Sequence, residues 1–444
     1  MTNSKEKTKN YNNINKNKDF YKWVAYILGI MTQLFNFFHR VNTTVLVPYL
    51  IDTFKISNTK LGLLSSIFFY SSAALQPLAG VLTDRWKPKK MLTISVTMMT
   101  LGALIYANSP SFIFAYMGRL LIGIGSAGIY IPVSWIITNY FSYDKRGFLF
   151  AIFTFIGIVG SLLGVAPLAK LINYFGWRNA LTNVAFASFA LAVLIWLVAR
   201  DDNSNKINEA NLNNKDKKSV IKTDEERISW IAVCKEVASM PIIKYFIIVS
   251  ITLYGAMMSF QGLWAVPFFI DVYKMEKSAT SGLVTMVPLG FLVGILLLSK
   301  LNDTKYGKIL YMLGAVSSLV LYLLFFLCMD KFIGYNYLRI ILFIWGFCQG
   351  SRPYPLKVYS VVLHKRYYGT ALGIINIFPI LGCALYQSFT GLLFDLFGGG
   401  VDVLHRSVGS YKIYFLFLSL SMVTAILITF KIIKILNRDY KGKI

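Results

Sequence analysis

Charge is scarce in this chain. Of its 444 residues, 15% are Asp, Glu, Lys or Arg and 56% are hydrophobic, where ordinary soluble domains carry about 25% and roughly 45–50%. That balance excludes a soluble multi-domain enzyme, and equally a disordered or fibrous chain. Acid is scarcer still: 20 Asp and Glu stand against 45 Lys and Arg, for a net charge of +25. Cysteine is limited to Cys234, Cys328, Cys348 and Cys383, with no metal-ligand or disulfide spacing, so no metal site is expected. The three histidines, His39, His364 and His405, lie in different spans or loops, and none pairs in sequence with a serine or cysteine nucleophile. Neither an enzyme nor a cofactor is therefore expected. There is no G-x-x-x-x-G-K-[ST] loop to cradle a nucleotide phosphate, which excludes ATP hydrolysis as the energy source. Residues 1–22 are polar and lysine-rich with no cleavage pattern, so no removable signal peptide is expected.

What the chain has in abundance is long apolar runs. A bilayer core needs about 20 apolar residues per helix, and twelve stretches qualify. They are residues 23–49, 61–82, 91–108, 112–138, 148–172, 179–199, 243–270, 279–299, 309–329, 336–363, 370–394 and 411–435. The polar segment 200–242, which ends in an amphipathic stretch at Trp230–Met240, divides them six and six. The organisation expected is an N-terminal tail (1–22), a six-helix bundle (23–199), a linker loop (200–242), a second bundle (243–435) and a C-terminal tail (436–444). Most Lys and Arg fall in the tails and the even-numbered loops. Basic loops stay on the cytoplasmic side, so both termini and the linker are expected there, in a multi-pass protein of the cell membrane. The positive charge thus reads as topology, and no nucleic acid partner is expected.

The two halves repeat each other. Asp84 and Asp303 each precede a basic run, 219 residues apart; Arg119 and Arg339 each open a glycine-bearing span, 220 apart; Pro132 and Pro353 interrupt those spans, 221 apart. Such fixed offsets point to duplicated bundles.

The segment Gly80-Val81-Leu82-Thr83-Asp84-Arg85-Trp86-Lys87-Pro88-Lys89-Lys90 resembles the major facilitator superfamily of secondary transporters. That family's loop between helices 2 and 3 reads G-x-x-x-D-R/K-x-G-x-R/K-R/K. Gly80, Asp84, Arg85, Lys89 and Lys90 match, while Lys87 replaces the second glycine. Arg119 with Gly123 and Gly125 resembles the family's helix 4 pattern, and Gly176-Trp177-Arg178 its element before helix 6. Ser299, Asp303, Lys305, Gly307 and Lys308 are a worn second copy of the loop. The resemblance implies an all-α integral membrane fold, with twelve helices in two pseudo-symmetric six-helix bundles. It also implies that Gly80, Asp84, Arg85, Lys89, Lys90, Arg119 and Asp303 serve gating contacts between the halves. A small residue at Gly80 allows close helix approach, and Asp84 can pair with a base or a helix N-terminus.

Ionisable side chains inside a membrane are costly and usually functional. His39 and Arg40 lie in span 1, Arg119 in span 4, and Arg352 and Lys357 in span 10, whereas every acid falls in a loop, a tail or a span end. Cations buried without acids need carbonyls, water or a ligand anion, so a negatively charged group on the substrate is expected. Gln33, Asn36 and Arg40 share a helical face by their i, i+3, i+7 spacing. Gln349 and Arg352 are i, i+3 before the interruption at Pro353-Tyr354-Pro355. The repeat maps Arg40 near Gln261, within Gln261-Gly262-Leu263-Trp264. Helices 1 and 7 of the resembled family usually line the transport path. Gln33, Asn36, His39, Arg40, Gln261, Trp264, Gln349 and Arg352 are therefore the expected substrate residues, with Tyr130 and Asn376 beside them.

Phe38-His39-Arg40 further resembles the organic-anion and sugar-phosphate branch, which implies an arginine anion ligand in helix 1. The second, helix 7 arginine of its phosphate-exchanging members is absent. A small anion or zwitterion such as an organic acid or amino acid is expected instead, moved by rocker-switch alternating access in a monomer. A coupling proton could use His39, whose side chain titrates near pH ~6.5 when unperturbed. The alternatives are an exporter of amphipathic compounds and, further off, a transporter-like receptor.

Overall fold

The structure is a computed structural model that describes residues 2–199, 230–302, 304–329, 331, 333–364, 368–398 and 406–440. Within these, the side chains of residues 2–19, 84, 143, 230, 231, 299, 300, 368 and 369 lie outside the description. Among the described residues all regular structure is helical, and ten helices are long and apolar enough to cross a membrane. The other two spans are broken ones. Span 1 comprises Thr2–Val41 and Thr43–Phe54, and span 10 comprises Tyr335–Cys348 and Tyr354–Val362.

Prolines account for most of the breaks. A proline ring clashes with the carbonyl four residues earlier. Span 4 breaks between Phe112–Ala127 and Tyr130–Tyr140, at Gly128, four residues before Pro132. Span 10 tightens to a 3-10 turn at Gln349–Ser351, which starts four residues before Pro353. Span 7 (Pro241–Ser259, then Ala265–Asp271) widens to a π-turn at Phe260–Trp264, and Pro267 follows Leu263 by four. Gly128 and Gln349 are 221 residues apart, the offset already seen in the sequence landmarks. The distortions therefore repeat along with the sequence, and the two bundles are pseudo-symmetric.

Lipid offers helices no hydrophobic drive to associate, so close packing of small residues does that work. In span 5 (Tyr143–Leu163, then the first turns of Ala166–Val198) Gly157, Gly160 and Gly164 lie against span 1. A methyl added at Gly164 would come 2.9 Å from the Phe38 carbonyl oxygen. Spans 3 and 4 cross at Gly102 and Gly118, where an added methyl would lie 2.6 Å from the backbone nitrogens of Ile122 and Tyr106.

Contacts between the bundles cluster toward the face opposite the termini. Spans 2 and 3 are Asn58–Ala107, with a corner at Lys87, and span 11 is Tyr368–Phe397. Gly62 of span 2 crosses Gly391 of span 11 so closely that a methyl at Gly62 would lie 2.5 Å from the Gln387 carbonyl oxygen. Nearby, the Ser388 hydroxyl bonds Ser66 at 2.8 Å, and Asp395 accepts the backbone N–H groups of Asn58 and Thr59 at 2.9 and 2.8 Å. Toward the terminal face the same helix sides diverge. Gly80 shares Gly62's face, five turns on, yet a methyl there would meet only Ile131, at 3.7 Å. Gly373 and Asn376 share the face of Gln387, yet both are exposed, and a methyl at Gly373 would meet nothing within 4 Å. The bundles therefore splay around a cavity open at the terminal face. Gly80, expected at a close helix contact, stands clear of one in this conformation.

The amphipathic stretch before span 7 is a helix, Trp230–Ser239, that buries Val233 and Val237 one turn apart.

Candidate functional site

At the apex of the splay two arginines from opposite bundles flank one tyrosine. Arg40, in the last turn of span 1 before its break, donates from Nη1 to the Tyr254 hydroxyl at 3.2 Å. Its guanidinium also sits 4.5 Å from the Phe37 ring centroid. Arg352, just past the 3-10 turn of span 10, lies 4.2 Å over the Tyr254 ring and reaches Met257 Sδ at 2.9 Å. Both arginines are half-buried. Arg40 Nε is buried without a hydrogen-bond partner. Among the described residues neither guanidinium meets a carboxylate. Cys383 of span 11 borders the cluster, its thiol 3.8 Å from the Tyr254 carbonyl oxygen. Two forked cations with unfilled donors can grip an oxyanion, and a guanidinium is built for that planar recognition.

The remaining residues expected at the site divide by burial. Gln33 and Asn36 are 5% and 1% exposed and face into the N-terminal bundle. Asn36 donates to Gln33 at 3.0 Å and accepts from Ser126 at 2.6 Å, which ties span 1 to span 4. His39 is 1% exposed; its Nδ1 meets Asn42 at 3.3 Å, and its Nε2 has no partner. Gln261 is buried in the π-turn with an unpartnered Oε1. Trp264 is fully buried; its indole donates to Thr390 at 2.9 Å, and Arg406 lies 4.8 Å over its ring, so it does not line the cavity. Gln349, also fully buried, donates to the Gly314 carbonyl and the Ser318 hydroxyl at 3.0 and 3.1 Å. Tyr130 is 45% exposed, with its ring against Phe153, and Asn376 is exposed. The common face of Gln33, Asn36 and Arg40 thus delivers only its last member to the cluster.

Arg119 is wholly buried in the N-terminal bundle. It donates to the His39 carbonyl at 2.8 Å and lies 3.5 Å from both the Asn42 side chain and the Ser65 carbonyl, with Phe68 and Tyr106 beneath it. The break at Asn42 frees carbonyls in span 1, and Arg119 satisfies one. In the loop after span 2, Arg85 is exposed, while Lys89 and Lys90 lie over Trp196 and Trp86 at 5.3 and 5.1 Å. Lys87, in place of the family's glycine, holds φ 64° and ψ 159°. The glycine geometry is kept without the glycine. The side chain of Asp84, and all of Asp303, lie outside the described residues.

Sequence reasoning missed two features. Tyr254 was detectable, since it lies two helical turns before Gln261 on the same face. Asp271, at the end of span 7, accepts from Arg406 at 3.0 Å and from Tyr411 at 2.8 Å, both partners of the ion pair being 3% exposed. It joins two loop-end residues 135 apart, and no periodicity marks such a pair. Among the described residues no group of His, Cys, Asp and Glu is placed to hold a metal ion.

Two pseudo-symmetric membrane bundles around a cavity open at one face define a transporter of small molecules, not an enzyme. The chain belongs to the Major Facilitator Superfamily, whose sequence profile matches residues 29–387. It is 25% identical over 256 residues to the uncharacterised transporter YybO of Bacillus subtilis, covering 57% of this chain and 58% of that one. It is 25% identical over 177 residues to the probable sulfoacetate transporter SauU of Cupriavidus necator, covering 39% and 41%. The chain thus spans under two thirds of the length of these relatives. Among solved structures, a bacterial homologue of the human lysosomal transporter Spinster, inward-facing and occupied, superposes with TM-score 0.70 at 18% identity over 94% of this chain and 97% of that one. A D-xylose–proton symporter superposes at TM-score 0.72 and 14% identity over 93% and 98%. At such identities the likeness shows the fold alone.

Proposed function

We propose that this carrier moves a small organic anion or zwitterion across the cell membrane by alternating access, with both termini cytoplasmic and the cavity open to the cytoplasm. The observation that carries the reading is the pair of half-buried guanidiniums, Arg40 and Arg352, that meet tyrosine and sulfur but no carboxylate among the described residues. A bare cation in a low-dielectric site is expensive, and an oxyanion is the ligand that removes the cost. Arg40 and Arg352 grip the anion, Tyr254 sets their spacing, and Tyr130 and Asn376 line the approach. The sulfoacetate named for the Cupriavidus relative is a small anion of this kind. The six-helix bundles 23–199 and 243–435 rock against each other as a monomer, with the motif loops forming the cytoplasmic contacts once the cavity closes. Uptake of radiolabelled organic acids and amino acids into cells tests this. Arg40→Ala is expected to abolish saturable uptake at unchanged membrane expression. Normal saturable uptake in that variant would remove Arg40 from the site. Substrate accumulation that depends on an outward gradient alone would favour an exporter.

A further inference from the structure

We infer that the carrier works by obligate exchange, in which one anion enters only as another leaves; this rests on reading Arg40 and Arg352 as the anion site. Symport and uniport share one step that exchange lacks: the empty carrier must close and return. In this structure the empty site is wet on one side, because the bundles diverge from Gly62 toward Gly80 and from Gln387 toward Gly373. Closing it strips the remaining water from two guanidiniums on opposite bundles. Both flank Tyr254, whose hydroxyl and ring carry no formal charge. Arg40 Nε is already dry and unpartnered. Among the described residues no carboxylate stands at the site to take over when the anion departs.

The molecule also shows the alternative. Arg406 stays dry because Asp271 holds it at 3.0 Å, and Arg119 because backbone and amide oxygens surround it. Desolvating a charge is costly unless a counter-charge and hydrogen bonds replace the water. With an anion bound, Arg40 and Arg352 gain that replacement and the site can close. Without one, the occluded state is reached too rarely to support turnover. The counter-substrate is then a second small anion of similar size from the other side.

The test uses the full chain. Purified protein is screened for thermal stabilisation by sulfoacetate, malonate, inorganic phosphate and glycerol 3-phosphate. Stabilisation by none of them, or stabilisation that survives in Arg40→Gln, overturns the anion site and exchange with it. For an anion that does stabilise, proteoliposomes are loaded with its radiolabelled form and diluted into buffer with or without the same anion outside. Exchange predicts release at least tenfold faster with external anion. Equal rates overturn exchange while leaving the anion site intact. Arg352→Gln lowers both rates but brings their ratio below threefold. A ratio unchanged in that variant would sever the behaviour from the guanidinium charge and overturn desolvation as its cause.

Discussion

Four arginines lie within the membrane-spanning body or at its rim, and they form two contrasting pairs. Arg119 and Arg406 are 0% and 7% exposed and are held by oxygens: carbonyls and an amide for the first, the Asp271 carboxylate for the second. Arg40 and Arg352 are half-buried and held by a tyrosine hydroxyl, an aromatic face and a thioether. Position in the membrane does not separate the pairs; their partners do. A cation whose donors end on fixed oxygens is architecture, and a cation whose donors end on soft or neutral groups has capacity left for a ligand.

Mutations should sort along the same line. The largest effect is expected at Asp271→Ala, which strands Arg406 dry and unpaired; breaking such a pair costs about 3–5 kcal/mol. Folded yield and melting temperature in detergent would show it, and a melting temperature unchanged from wild type would refute the structural role. Arg119→Met follows, at about 2–3 kcal/mol for hydrogen bonds from a charged donor to the span 1 break, read as lost thermal stability with or without ligand. If instead Arg119→Met melts normally and loses only transport, the division between the pairs fails. Tyr254→Phe keeps the ring under Arg352 and removes the acceptor of Arg40. It should weaken substrate affinity about five- to tenfold, roughly 1–1.4 kcal/mol, at unchanged melting temperature. The smallest effect is a gain. Lys87→Gly relieves a backbone conformation that costs a side-chain-bearing residue of order 1–3 kcal/mol, so the variant should melt higher. Gly176 holds nearly the same torsions, φ 75° and ψ 159°, at the corner between spans 5 and 6, and shows what the unstrained version is. Gly176→Lys should therefore lose what Lys87→Gly gains.

The fold was largely legible because membrane spans and duplicated landmarks are written in one dimension. Twelve apolar runs, the offset near 220 residues, and prolines that mark breaks four residues upstream all follow from local chemistry. The site was legible in part. Arg40 and Arg352 stood out as charges in apolar surroundings, and the structure gathers them around one ring. Helical spacing put Gln33 and Asn36 on one face with Arg40, but spacing does not fix how that face turns toward the bundle interior. There Ser126 takes the Asn36 amide and Gly157 packs on Gln33. Trp264 looked like a wall of the transport path, yet Thr390 and Arg406, far away in sequence, hold it inside the C-terminal bundle. Tyr254 carries no charge and breaks no pattern, so only its position between two arginines reveals its part.

The most direct measurement compares small dicarboxylates with their neutral diamides, for example malonate with malonamide and succinate with succinamide, as stabilisers of wild type, Arg40→Gln and Arg352→Gln. At least one dicarboxylate is expected to raise the melting temperature of wild type by several degrees, with its diamide inert and the gain lost in both variants. Equal stabilisation by acid and amide, or a gain that persists in both variants, would contradict the claim that two guanidiniums without a carboxylate partner form the binding site.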